Sequence, residues 1–493
     1  MILYTPLLFI PMLISALAII PICLSHRFPN LRESWTFLAA FLKLGFLLWM
    51  LPSVLDGNTF NYTLIEFLPG LSLSFKVDAF SMLFALVASS LWIVTSIYSI
   101  GYMRPTKEHA QTRFFSFFAL ALSTTLGVAF SANLFTLYIF YELLSLSTYP
   151  LVAHHQDKEA RGGARKYLSY LLGSSIALLL PAMILTYLIT GTLEFNGQGV
   201  FLENIPHYSL LATLFFMFIF GFAKSGIMPL HAWLPGAMVA PTPVSALLHA
   251  VAVVKVGVFC TFRVITGIFG IPLLEMMNLG FILSIIAAAT IIISSLIALS
   301  QDNLKRLLAF STIGQLSYII LGAALLTPAG LTGSMLHIVM HAFGKITLFF
   351  CAGAIYVASG KKYISQMKGI GRKMPFTMFA FTLGAFSIIG FPPLGGFISK
   401  FTLVIGSLQA DQAWIIMILL ISSFLNAAYF LPIIYKAFFL KPDDEAINSP
   451  EIKEAPLCAM LPPVITALCS ILLFFYPSVF AELVNVMLTL NLR

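Results

Sequence analysis

Lys224-Ser225-Gly226-Ile227-Met228-Pro229 stands inside an otherwise apolar run from 208 to 235, and Pro235-Gly236 closes that run. About 20 apolar residues are enough to cross a bilayer, yet this run holds a cation and two prolines. Proline removes a backbone donor and clashes with the preceding turn, so a helix breaks there. Backbone freed at membrane depth must be buried in protein or face water. A second run, 376–409, repeats the device with Gly390-Phe391-Pro392-Pro393-Leu394-Gly395-Gly396 and then Lys400. Two broken helices five spans apart indicate two structural repeats, a combination that marks the transport site in transporters.

The rest of the chain is equally apolar. Of 493 residues, 59% are hydrophobic and 9% charged, against roughly a quarter charged in a soluble domain. A mean hydropathy of +0.97 leaves no room for a sizeable water-soluble domain. Apolar runs fall near 3–24, 35–55, 78–100, 114–131, 133–153, 167–190, 208–235, 241–265, 278–299, 305–326, 331–358, 376–409, 413–437 and 457–486. The expected fold is an all-α integral membrane protein of about 14 transmembrane helices, with helices 7 and 12 broken at Pro229, Pro235, Pro392 and Pro393. It is read as one membrane domain, 1–493, with room for a short extramembrane hairpin. Helices 1–3 occupy 1–110, helices 4–8 occupy 111–270, helices 9–13 occupy 271–440, and helix 14 occupies 441–493.

Several function classes drop out. The first run carries Pro6, Pro11 and Pro21, with no basic segment before it and no small-residue cleavage site, so it is read as a retained helix. The net charge of +8 comes without a basic run interleaved with aromatics, which argues against nucleic acid. Cys23, Cys260, Cys351, Cys458 and Cys469 lie far apart in or beside apolar runs, as buried small hydrophobes do. No Gly-rich phosphate loop is present. No cofactor and no metal site are expected.

Loop charge sets the orientation. Nineteen of the 27 Lys and Arg follow the odd-numbered spans, whereas Lys76, Arg263 and Arg493 lie on the other side. The positive-inside rule places the odd loops in the cytoplasm and both termini outside, in a cell membrane of the inner or cytoplasmic type.

Five charges are central to their spans: Glu142, Lys224, Lys255, Lys345 and Lys400. Such a charge costs roughly 2.5–3.5 kcal/mol on insertion scales, so an intramembrane charge is read first as functional. Desolvation lowers a lysine's pKa and raises a carboxylate's, bringing both toward neutral pH. Moving a Lys toward or away from a Glu then loads or unloads a proton. Lysines on consecutive helices, bridged by water and neutral His, would form a horizontal relay. His337, His341 and Lys345 share one helix face at i, i+4 and i+8, and His249 precedes Lys255 by six residues. The His-x-x-x-His spacing also suits zinc, but an ammonium one turn on would repel a cation, so the relay reading is preferred. Lys43 is expected to snorkel to the interface. His231 is read equally as a cap of the broken helix or a proton carrier. His154-His155 are read as a solvated loop, and Arg263 and Asp302 lie too near span ends to single out.

These residues also carry a family likeness. The block Phe222 to His249, the phrase Asp302-Asn-Leu-Lys-Arg-Leu-Leu-Ala-Phe-Ser-Thr-Ile-Gly-Gln315 and the phrase Gly390 to Lys400-Phe401 resemble the antiporter-like subunits shared by Mrp-type cation/proton antiporters, respiratory complex I and membrane-bound hydrogenases. The likeness covers nearly the whole chain. It implies inverted five-helix repeats over spans four to eight and nine to thirteen. It also implies a Glu142–Lys224 charge pair, a central Lys255, a connecting relay through His249 and the His337–Lys345 group, and a terminal Lys400 where some relatives have Glu. Length and the phrase around Lys255 look most like the D-type subunit of Mrp antiporters, without the lateral helix of the larger complex I relative. The partners implied are other membrane subunits, protons, Na⁺ and the lipid bilayer, with no nucleic acid. Two readings compete: a proton-translocating subunit of a cation/proton antiporter, and a coupling subunit of a complex I-like quinone reductase or hydrogenase. A pure scaffold is disfavoured by the full row of central charges.

Overall fold

The computed structural model describes residues 1–202, 207–441 and 452–491, except the side chains of 248–250, 490 and 491. The N-terminal part comprises α1 (Ile10–Leu17), α2 (Ile19–Leu24), α3 (Pro29–Leu55) and α4 (Ala79–Met103). Next come α5 (Gln111–Ala129), α6 (Leu134–Val152), α7 (Lys158–Ser174), α8 (Leu180–Thr190) and α9 (Tyr208–Gly221). After a stretch that holds only a short 3-10 turn, Ala223–Ser225, follow α10 (Trp233–Gly236), α11 (Thr242–Ala250), α12 (Val253–Val264) and α13 (Ile271–Met276). The second half holds α14 (Leu279–Leu299), α15 (Leu304–Ala324), α16 (Pro328–Ser359), α17 (Ile370–Lys373), α18 (Pro375–Ile389), α19 (Gly395–Gln409) and α20 (Trp414–Phe439). The chain closes with α21 (Leu457–Phe475) and α22 (Ser478–Asn491). Ten helices among the described residues are long and apolar enough to cross a membrane. Every one of the fourteen apolar runs is occupied by a helix or by successive helical segments.

Helix starts follow local chemistry. Asp78, Asn133, Asp157, Asn303 and Thr327 each accept a backbone N–H of the first turn, at the starts of α4, α6, α7, α15 and α16. Such caps satisfy donors that have no partner inside the helix. Both expected breaks are present. α9 stops at Gly221 and α-helix resumes only at Trp233, while α18 and α19 are separated by 390–394. The Trp233 indole donates to the Ala223 carbonyl at 2.9 Å, satisfying one acceptor that the first break releases.

Two features go beyond the expectation. The eighth run is not one helix, because α11 ends at Ala250 and α12 starts at Val253, with no proline or glycine between them. The helices are joined by a small three-stranded sheet: β1 (Ile2–Tyr4) pairs in parallel with β2 (Thr59–Leu68), which pairs antiparallel with β3 (Leu71–Val77).

Contacts between loops define two ends. At one end Arg104 pairs with Glu33, Glu108 meets His154 and His155, and Asn303 bridges Tyr363, joining connections that follow odd-numbered spans. The other end gathers the sheet, Ser131, Asn133, Glu194 and Gly267, which follow even-numbered spans. α15 and α16 are almost wholly buried at the centre, whereas α3 and α20 present Leu, Phe and Trp outward, as suits lipid contact.

Candidate functional site

The first break and α6 bring two of the expected charges near each other. Lys224 lies in the short turn after α9 and is fully buried. Its ammonium donates to the Tyr141 carbonyl and to Ser145 Oγ, each at 2.7 Å, and sits 3.1 Å from the Tyr141 ring centroid. Acceptors and an aromatic face offset part of the cost of enclosing a cation. Glu142, the next residue on α6, keeps both carboxylate oxygens enclosed, with Lys224 and Ser175 acting on them. No direct ion pair joins the two, although each lies within the other's field.

Close backbone approach positions this turn. A Cβ at Gly257 of α12 would lie 2.1 Å from the Ser225 nitrogen and 2.3 Å from the Lys224 carbonyl carbon. Only glycine lets α12 rest directly on the break. The second break uses the same device, since a Cβ at Gly396 would lie 1.9 Å from the Ser387 oxygen.

α12 and α16 hold the centre of the row. Lys255 is fully buried and its ammonium has no hydrogen-bond partner among the described residues. Neither ring nitrogen of His341 has one either. Lys255 acts electrostatically on His337 and His341, and Lys345 acts on Lys255 and His341. The His337 and His341 rings are nearly parallel, with centroids 5.8 Å apart. His337 Nδ1 meets Ser399 Oγ at 2.9 Å and its Nε2 meets Gln315 Oε1 at 3.1 Å. Both nitrogens are therefore engaged by hydrogen-bonding side chains, and the pair does not present a free zinc face. His249 falls on α11, but its side chain lies outside the described residues.

Beyond them, the Lys345 ammonium donates to Ser311 Oγ at 2.7 Å, and Ser311 also accepts from Tyr429, which bonds Asn426. Lys400 reaches back across the second break, donating to the carbonyls of Ile388 and Ile389 at 2.8 and 3.0 Å. These are terminal carbonyls of α18, where the helix dipole is negative and acceptors lack helical partners. Lys224, Lys255, His337, His341, Lys345 and Lys400 are thus all enclosed basic groups, with Lys224 in the first break and Lys400 turned back on the second.

Three sequence expectations change. Lys43 does not snorkel: it is fully buried, donates to the Leu122 carbonyl at 3.2 Å and lies 5.2 Å from the Trp92 ring. The cause is packing, because α3 lays that face against α4 and α5. His154 is not a solvated loop residue but is completely enclosed. Burial pushes its imidazole down to about 4, with Glu108 opposing the shift. Arg263, set aside as a span-end residue, forms two 2.7 Å hydrogen bonds to Asp78 and a third, at 2.9 Å, to Ser81. Burial works to raise the Asp78 carboxyl, but Arg263 more than offsets it and holds the group below the usual carboxylate range. The partners are 185 residues apart, so no local pattern announces them. His231 lines a cavity of about 330 Å³ at the odd-loop end, together with Glu159, Lys166 and Arg306.

Known proteins share the family and the fold. The family model described as NADH:quinone oxidoreductase/Mrp antiporter, TM, matches residues 131–426, and that for the N-terminus of NADH-ubiquinone oxidoreductase (complex I) chain 5 matches 69–115. A putative antiporter subunit mnhA2 of Staphylococcus haemolyticus is 29% identical over 90% of this chain and 58% of its own length. NADH-quinone oxidoreductase subunit N of Desulforudis audaxviator is 32% identical over 78% of this chain and 77% of its own. The chain spans about half the length of the staphylococcal relatives it matches. Among solved structures, a chain of the Mrp complex from Dietzia sp. DQ12-45-1b superposes with a TM-score of 0.86 at 22% identity, covering 98% of this chain and 97% of that one. A chain of the membrane-bound sulfane sulfur reductase, an archaeal respiratory membrane complex, gives 0.87 at 25% identity, covering 99% and 97%. The first of these structures shows the fold alone.

Proposed function

We propose that this chain, which belongs to the NADH:quinone oxidoreductase/Mrp antiporter transmembrane family, is a multi-pass membrane subunit that moves protons for a multisubunit cation/proton antiporter. The relay is Glu142, Lys224, His249, Lys255, His337, His341, Lys345 and Lys400. The observation that carries this reading is the set of enclosed basic groups from Lys224 at the first break to Lys400 beyond the second, with Lys255 and His341 free of hydrogen bonds among the described residues. A fully engaged ammonium is held in one place, whereas an enclosed and unengaged one is free to change partners. The Glu142 carboxylate, enclosed beside Lys224, supplies the counter-charge that loads the first lysine.

Residues 111–270 and 271–440 form the two inverted repeats, each with one broken span. The odd-loop end faces the cytoplasm and both termini face outward, in a cytoplasmic membrane. Partners are further membrane subunits, and Na⁺ is the exchanged cation. A second reading, a coupling subunit of a quinone-reductase-like or sulfur-reducing respiratory complex, is supported by the 77% coverage of the quinone oxidoreductase relative from Desulforudis audaxviator and by the archaeal respiratory structure.

The decisive test is Lys255 in proton-flux assays on inverted vesicles. Arginine keeps the charge but is effectively never deprotonated. Both Lys255→Arg and Lys255→Ala are expected to lose flux with normal amounts of assembled complex. Native flux from Lys255→Arg would show that Lys255 is a fixed electrostatic element and would remove the centre of the relay.

A further inference from the structure

We infer that the odd-loop end carries a binding site for a divalent transition metal of the zinc class, formed by Glu108, His109 and His154. One ligand atom from each of these side chains lies within 4.8 Å of the other two. Glu108 and His109 come from the connection between α4 and α5, and His154 from just beyond the end of α6. The site therefore draws together segments far apart in the chain.

The second observation is His154 itself. It is completely enclosed, yet neither ring nitrogen has a hydrogen-bond partner among the described residues. An enclosed polar group without a partner is costly, and native proteins seldom leave one so. Its Nε2 is directed at Glu108, 3.8 Å from Oε2, too far for a hydrogen bond but suited to sharing an ion. The surroundings hold this arrangement in place. His155 Nε2 lies 3.2 Å from the Glu108 carboxylate, and Arg113 donates to the His154 carbonyl at 2.8 Å. A carboxylate ligand that is itself hydrogen-bonded is the usual support of a metal site.

Size and donor set select the ion. Zinc bonds to nitrogen and carboxylate oxygen are about 2.0–2.2 Å, which for tetrahedral geometry puts ligand atoms roughly 3.3 Å apart. The required closure is about 1.5 Å at most, within reach of side-chain rotation at the exposed His109. Two imidazoles and one carboxylate favour zinc, copper or nickel over magnesium or calcium. Three protein ligands leave a fourth position, and a cavity of about 520 Å³ lined by Glu108, His109, His155 and Asp157 borders the cluster on that side. Arg113 acts on His154 against a bound cation, while Glu108 acts on it in favour of one and Asp157 adds negative charge beside His155.

The test is equilibrium binding of Zn²⁺ alone to the purified full-length chain. One saturable equivalent is expected. His154→Gln and His109→Ala should each weaken it at least tenfold, and His26→Ala should leave it unchanged. Because His109 is exposed, its variant keeps the result interpretable if His154→Gln folds poorly. Cobalt loading should give the visible bands of a tetrahedral ion, lost in Glu108→Gln. Absence of a saturable equivalent in the native chain, or native affinity in His109→Ala, would overturn the assignment.

Discussion

Gly257→Ala tests whether the contact between α12 and the first break sets the position of Lys224. The added methyl carbon would lie 2.1 Å from the Ser225 nitrogen, 2.3 Å from the Lys224 carbonyl carbon and 2.7 Å from the Ser225 Cα. Ordinary contact needs at least about 3.4 Å, so something must move by roughly 1.3 Å. All three atoms are backbone, and no flexible side chain can yield. Overpacking of this kind costs typically about 1–3 kcal/mol. Displacing a reactive group by about 1 Å lowers rates up to roughly a hundredfold. The expected result is a lower thermal midpoint of the purified protein and proton flux reduced at least tenfold. Gly45→Ala is the control, since a Cβ there meets nothing within 4 Å. It should be neutral or slightly stabilising through helix propensity. Native flux and native midpoint in Gly257→Ala would refute the claim that this approach positions Lys224.

Three further outcomes are expected. Glu142→Ala should abolish proton flux while assembly persists, and Glu142→Asp should retain part of it, because the charge stays but its reach shortens; vesicle flux decides both. Asp78→Asn should destabilise the protein by about 3–5 kcal/mol, since it leaves the Arg263 guanidinium enclosed with a weakened partner. Because the Asp78 carboxyl is held below its unfolded value, the pair's stabilisation is complete above the usual carboxylate range and is lost only as pH falls through that depressed value. A thermal midpoint that stays level between pH 7 and pH 5 in the native protein checks the sign. A cysteine placed at Lys362 should react only with reagents on the cytoplasmic side, and labelling from outside would reverse the orientation.

Much of this architecture was legible because its causes are local. Apolar length marks each span, and Pro229 and Pro392 mark the two breaks, since a missing N–H acts within one turn. Central charges stand out against an apolar background without knowledge of any partner. The exceptions have non-local causes. The direction of Lys43 depends on which face of α3 meets α5, and the Asp78–Arg263 pair depends on bringing residues 185 apart together. The Glu142–Lys224 pair was implied by the family likeness alone, and its geometry was not legible, because Tyr141 and Ser145 take the ammonium's hydrogen bonds. The burial of His154 depends on loop packing at the odd end, which polarity alone does not reveal.

The interruption between α11 and α12 differs in kind from the other two. Proline makes those permanent, but nothing in the covalent structure of Val251-Ala252 forbids a continuous helix. The Leu247 carbonyl accepts from both Val251 and Ala252, at 3.0 and 2.9 Å, so one extra residue is accommodated within a single turn. Local widening of this sort is reversible, since it exchanges one set of backbone hydrogen bonds for another. Rewinding by one residue would turn everything beyond it by about 100° about the helix axis. Lys255 is the third residue of the segment that would turn. Its ammonium could then face two different neighbourhoods through a change in winding alone, with no displacement of the helix as a body.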